Sequence, residues 1–138
     1  MEILVVVGQG GRIGQQLVRA ILARVPGAQV HGVGTNSMAT AALLKAGAAQ
    51  AATGENALAV ACRTADVILG PAGIVIADAL LGEISPAMAA AVGRSPAKKI
   101  LIPMNQCDIL VAGVEDLPVS RLLDRAVELL SRLMERDT

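Results

Sequence analysis

Five apolar residues in a row, Ile3 to Val7, break into Gly8-Gln9-Gly10-Gly11-Arg12-Ile13-Gly14, after which apolar positions return at helical spacing. That succession predicts a strand, a glycine turn and a helix, and the unbroken apolar run fits a strand covered on both faces. The same alternation of short apolar runs and helical patterns continues along the chain. Strands are predicted near Ile3–Val7, Gln29–Gly34, Asp66–Leu69 and Lys99–Pro103, with weaker ones near Ala48–Ala52 and Ile109–Val114. Helices are predicted at about Arg12–Arg24, Ser37–Ala46, Gly54–Thr64 and Pro86–Val92, with a further one around Ile74–Leu81. Ser85 places a capping hydroxyl before Pro86 at the first helical position, and Gly47 stands where a C-terminal glycine ends a helix. Such an alternation predicts an α/β fold: a Rossmann-like, doubly wound, mainly parallel sheet of about 5–6 strands in a single domain.

The last predicted helix, about Pro118 to Arg136, carries Val119, Leu122, Leu123, Ala126, Val127, Leu130, Leu133 and Met134 on one stripe. Arg121, Asp124, Arg125, Glu128, Arg132 and Glu135 decorate the remainder, with Glu128 and Arg132 at a favourable i,i+4 spacing. This helix packs on the sheet, and it is also a candidate dimerisation element for a small domain with an apolar surface.

Composition narrows the function classes. The 138 residues are long enough for one core and too short for a dinucleotide domain plus a separate substrate domain. Twelve basic residues balance twelve acidic ones, and Phe, Tyr and Trp are absent. Nothing electrostatic favours nucleic acid or an anionic membrane, and no ring can stack a base. The expected partner is a phosphorylated small molecule or another copy of the chain. Two isolated cysteines, Cys62 and Cys107, lack metal spacing, and the N-terminus does not read as a targeting signal, so a reducing cytoplasmic setting is expected with no metal. The most apolar stretch, residues 67–77, is interrupted by Gly70, Pro71 and Gly73 and is too short to span a bilayer.

The glycine turn fits G-x-x-G-x-x-G at Gly8, Gly11 and Gly14 and does not fit G-x-G-x-x-G in any register. Its place after a buried strand and before a helix is the context in which unpaired amides and the helix dipole face a phosphate. Residues 6–17, Val6-Val7-Gly8-Gln9-Gly10-Gly11-Arg12-Ile13-Gly14-Gln15-Gln16-Leu17, resemble the nucleotide-binding loop of dihydrodipicolinate reductases. The resemblance implies that Gly8, Gly11 and Gly14 form the turn, that amides from Gly10 to Ile13 meet a pyrophosphate, and that Arg12 lies near the adenosine phosphate. The catalytic segment and substrate domain of those enzymes have no counterpart, so their reaction is not implied.

A second resemblance spans most of the chain. Gly34-Thr35-Asn36-Ser37, Lys45-Ala46-Gly47-Ala48, Ala52-Thr53-Gly54-Glu55-Asn56-Ala57, Gly70-Pro71-Ala72-Gly73-Ile74-Val75-Ile76-Ala77 and Ser95-Pro96-Ala97-Lys98-Lys99-Ile100-Leu101-Ile102-Pro103 resemble a family of small bacterial proteins that carries a domain-of-unknown-function label. It implies a standalone domain and carries no activity with it.

In an open parallel sheet the ligand lies beyond the carboxyl ends of the strands, here Gly8–Gly14, Gly34–Ser37, Thr53–Asn56, Gly70–Gly73 and Asn105–Cys107. Each segment also reads as ordinary turn and cap chemistry, with Ser37 and Thr53 as helix caps and Gly70-Pro71 as a turn. The candidate cofactor site is therefore Gly8, Gln9, Gly10, Gly11, Arg12, Ile13, Gly14, Thr35, Asn36, Ser37, Gly70 and Pro71. No acid lies between Glu2 and Glu55 to hold a ribose 2′-hydroxyl, while Thr35, Asn36 and Ser37 tolerate a 2′-phosphate. NADP is favoured over NAD on that ground, and another nucleotide would use the same loop.

Catalytic candidates are sparse. Glu55 reads as a base or a solvated first-turn carboxylate, Cys107 as a nucleophile or redox thiol or else a small buried residue, and His31 as a catalytic candidate or a satisfied strand histidine. Asp78 and Glu83 read as side chains facing water. The leading expectation is a nucleotide-binding module that senses or regulates. The alternatives are a small NAD(P)-dependent oxidoreductase with a pocket completed by a homodimer, and a structural subunit without ligand. Gly11→Val is expected to abolish binding with the fold intact.

Overall fold

The computed structural model describes residues 1–103 and 109–136. Its elements are β1 (Ile3–Val7), α1 (Arg12–Arg24), β2 (Val30–Gly34), α2 (Ser37–Ala46), β3 (Gln50–Thr53), α3 (Glu55–Thr64), β4 (Val67–Pro71), a 3-10 turn (Ala72–Val75), α4 (Pro86–Arg94), β5 (Lys98–Ile102) and α5 (Val119–Arg136). The five strands form one parallel sheet in the order β3-β2-β1-β4-β5. This is the expected doubly wound α/β architecture.

β1 is buried along its whole length because alternate side chains enter different layers. Ile3, Val5 and Val7 join Leu17, Val18, Ile21, Leu43, Val127 and Leu130 under α1, α2 and α5. Leu4 and Val6 join Leu58, Ile68, Ile74, Met88 and Val92 under α3 and α4. The stripe of α5 is confirmed in its centre, where Leu123, Ala126, Val127 and Leu130 are buried, and Arg24 reaches Asp124 at 3.3 Å to tie α1 to α5. The expected Arg132–Glu128 pair forms at 2.8 Å. Val119, also placed on that stripe, is exposed.

Ser85 caps α4 by accepting a hydrogen bond from the Met88 amide, and Pro86 follows it as expected. Gly47 closes α2 at φ +116°. Three local expectations are corrected. Asn36 rather than Ser37 caps α2, accepting from the Ala39 amide from an extended backbone, while Ser37 already belongs to the helix. Thr53 does not cap α3; its hydroxyl pairs with Thr40 Oγ1 at 2.6 Å, and Gly54 takes the cap position. Residues 109–114 form no strand, since Gly113 at φ +81° turns the chain and the segment lies exposed.

The fourth correction positions the site. Residues 74–81 do not continue as a helix beyond the 3-10 turn, because Asp78, Leu80 and Leu81 adopt left-handed φ values of 66°, 56° and 57°. The tight path closes on itself through Asp78 N–H to Ile84 O and Ile84 N–H to Ala79 O, and it buries Leu80 and Ile84 against the layer of α3 and α4. Burial of two aliphatic side chains offsets backbone strain of about 1–2 kcal/mol per left-handed residue.

Candidate functional site

From β1 the chain winds outward to β2 and β3, then crosses to β4 on the other side of β1. The loops leaving β1 and β4 therefore diverge, and a crevice opens between them at the C-terminal edge. The β1–α1 loop forms one wall. Val7, residues 8–13, Pro71 and Leu80 border a hollow of about 100 Å³.

The three glycines of the G-x-x-G-x-x-G pattern are required by packing. A Cβ on Gly8 would lie 2.8 Å from Thr35 Oγ1 and 2.9 Å from Leu80 Cδ1. Gly11 has φ +78°, and its Cβ would lie 2.8 Å from that of Ala42 on α2. At Gly14 the contact is 2.7 Å to Val7 Cγ1, which lets α1 sit closely on β1. Gly11→Val therefore strains the fold, contrary to expectation. Gly10 alone in this loop has open space where a side chain would be.

The amides divide into two groups. Gly11 N–H donates to Gly8 O at 3.0 Å, and Gln9 N–H donates to the Glu83 carboxylate at 2.9 Å. Gly10, Arg12 and Ile13 amides have no acceptor among the described residues. α1 also has no acid in its first turn and, unlike α2 and α4, which Asn36 and Ser85 cap, no capping side chain. Its first amides are thus left without a partner inside the helix itself.

Glu83, taken from the sequence as a solvated side chain, is the centre of the crevice's polar network. Its Oε1 accepts from Thr35 Oγ1 at 2.6 Å, Asn36 Nδ2 at 2.7 Å and the Gln9 amide. Asn36 Nδ2 also donates to Gln9 O at 2.8 Å. One carboxylate therefore joins the loops after β1 and β2 to the segment after β4. The Thr35 hydroxyl is the largest cause holding the Glu83 carboxyl below the usual carboxylate range; burial pushes the other way, and the Gln9 amide and Asn36 side chain add to the depression. The group is ionised at neutral pH. Leu80 and Glu83 are the two residues that sequence reasoning missed, and their position just after the fourth strand's carboxyl end was the available signal.

The other candidates fall into place around this centre. Pro71 borders the hollow, whereas Gly70 is a packing glycine whose added Cβ would collide with Val6 O. Ser37 starts α2 and is exposed, outside the hollow's lining. Glu55 accepts from Ser85 Oγ at 2.6 Å, binding the start of α3 to the start of α4. His31 lies within β2 with Nδ1 3.4 Å from Glu2 Oε2, away from the carboxyl edge. Cys107 lies outside the described residues. Burial pushes the Cys62 thiol up despite the nearby Lys99 cation, and leaves it a packing residue. Among the described residues no group of three metal-ligating side chains occurs, and no helix is long and apolar enough to cross a membrane.

A larger hollow of about 580 Å³ lies between Pro103, Ile109–Val111, Val114–Leu117 and the start of α5, and shares no lining residue with the hollow at the glycine loop. Among the described residues it is bordered mainly by aliphatic side chains with Glu115 and Asp116, and by no cation.

The family described as Domain of unknown function (DUF3842) matches residues 2–135. No curated protein matches the chain. Among solved structures, a dodecameric FMN-dependent UbiX-like decarboxylase from Escherichia coli O157:H7 is similar, at 22% identity and a TM-score of 0.44 over 94% of this chain and 75% of that one. That protein uses a flavin rather than NADP, and the expectation of NADP is corrected. The physical reason is in the crevice: Thr35 and Asn36, counted as donors for a 2′-phosphate, already serve the Glu83 carboxylate, whose charge would repel one.

Proposed function

The chain belongs to the Domain of unknown function (DUF3842) family, and from the geometry of its crevice we propose that it is a small binding module for a phosphorylated ligand, with a sensing or regulatory role. The phosphate sits against the Gly10, Arg12 and Ile13 amides, with the exposed Arg12 side chain supplying positive charge at the mouth. One observation carries the reading. The N-terminus of α1 has neither capping side chain nor first-turn acid, its amides lack acceptors, and it borders a hollow at the switch point.

The available side chains favour binding over chemistry. Glu83 is held ionised by three donors, which makes it a weak general base, and Glu55 is committed to Ser85. Assembly with a second copy belongs to the same reading: Ile109, Leu110, Val111, Val114 and Leu129 are exposed at one end of the molecule, with Leu110 90% exposed.

Calorimetric titration with orthophosphate, AMP and FMN tests the proposal. Saturable binding is expected, and Arg12→Ala should weaken it about tenfold through loss of a charge-assisted contact. Absence of heat with all three would favour a structural subunit instead.

A further inference from the structure

Resting on that reading of the site, we infer that residues 76–84 form a strap that closes the phosphate cradle from within the chain, with the Glu83 carboxylate holding the Gln9 amide of the same loop and opposing a bound anion by its charge. Three observations support it. Glu83 accepts the Gln9 amide, a donor of the glycine loop itself, together with both side-chain donors at the end of β2. Leu80 borders the hollow and lies against the open face of Gly8, so a ligand larger than a phosphate group must move it. The closed path is strained: Asp78, Leu80 and Leu81 are left-handed, and Leu81 is 95% exposed, so no packing of its side chain compensates for its backbone.

These features give the strap two states. Closed, it is held by the Glu83 hydrogen bonds and by burial of Leu80 and Ile84. Open, it is released from left-handed backbone, and its Ser85 end stays anchored to Glu55. An anion that fills the cradle shifts the balance because the open state takes the Glu83 charge away from it and adds the Gln9 amide to the Gly10, Arg12 and Ile13 donors. Binding is therefore coupled to movement of a surface segment, which is how a module without chemistry reports occupancy.

The test titrates the parent chain, Glu83→Gln and Leu81→Gly with AMP and orthophosphate, and follows hydrogen exchange at the Asp78, Gly82 and Ile84 amides, which are bonded within the closed strap. Glu83→Gln keeps an acceptor for the three donors but removes the competing charge, and should bind AMP about fivefold tighter or more. Leu81→Gly relieves the left-handed leucine, favours the closed state and should bind about threefold more weakly. In the parent chain, AMP should speed exchange at the strap amides. Unchanged or weaker binding by Glu83→Gln, with strap exchange indifferent to AMP, overturns the strap and leaves the site standing. If no chain binds either probe, the site itself is wrong and the strap falls with it. Should Glu83→Gln fail to fold, Leu81→Gly decides: binding equal to or tighter than the parent overturns the strap.

Discussion

Thr35 Oγ1 donates to Glu83 Oε1 at 2.6 Å across 48 residues of sequence, linking the carboxyl end of β2 to the segment that follows β4. A loop that seemed to offer hydroxyl and amide donors to a ligand is thereby occupied by the chain's own carboxylate. The bond helps keep the Glu83 carboxylate charged and ties the two segments together.

Acid should loosen this network first. The folded Glu83 carboxyl is held below its ordinary value, so its contribution to stability is fully present above the usual glutamate range and disappears as pH falls through the depressed folded value. Thermal unfolding followed from neutrality down to pH 3 should show a steeper fall for the parent chain than for Glu83→Gln. Parallel curves would mean that this carboxylate makes no net contribution.

Gly10 and Gly11 should respond in opposite ways. Gly10→Ala enters open space and should leave stability within about 0.5 kcal/mol of the parent. Gly11→Ala combines positive φ with contact against α2, and should cost about 1–3 kcal/mol in urea denaturation. Equal stability of the two variants would show that α2 can withdraw freely from the loop.

Asn36→Ala removes the cap of α2 and the donor that joins Gln9 O to Glu83. A loss of about 1–3 kcal/mol is expected, more than the roughly 1 kcal/mol of an isolated cap. Ser37→Ala, at an exposed helical position, should stay within about 0.5 kcal/mol. Chemical denaturation of both variants makes the comparison, and a larger effect at Ser37 would reassign the cap.

Leu130→Ala should cost about 2–5 kcal/mol, because the side chain is fully buried between α5 and the sheet layer of α1 and α2. Leu129→Ala, at the neighbouring exposed position, should be near neutral for folding in the isolated chain. A concentration-dependent melting temperature that Leu129→Ala abolishes would place that face in a self-association surface.

Most features whose cause is short in range were legible in the sequence, although the equally local α2 cap lies at Asn36, one residue before the position expected. The apolar run Ile3–Val7, the glycine turn, the Ser85-Pro86 start, Gly47 and the stripe of α5 each follow from periodicity or from backbone preferences a few residues wide, and they suffice for a doubly wound parallel sheet. The arrangement of the crevice depended on contacts that no local pattern encodes. That β4 lies beside β1 is a choice of strand order, and only that choice carries Leu80 and Glu83 over the loop after β1. The left-handed turns at Asp78, Leu80 and Leu81 contradict the local helical pattern of residues 74–81, because burying Leu80 and Ile84 and satisfying three polar donors with one carboxylate outweighs the preference of the backbone there.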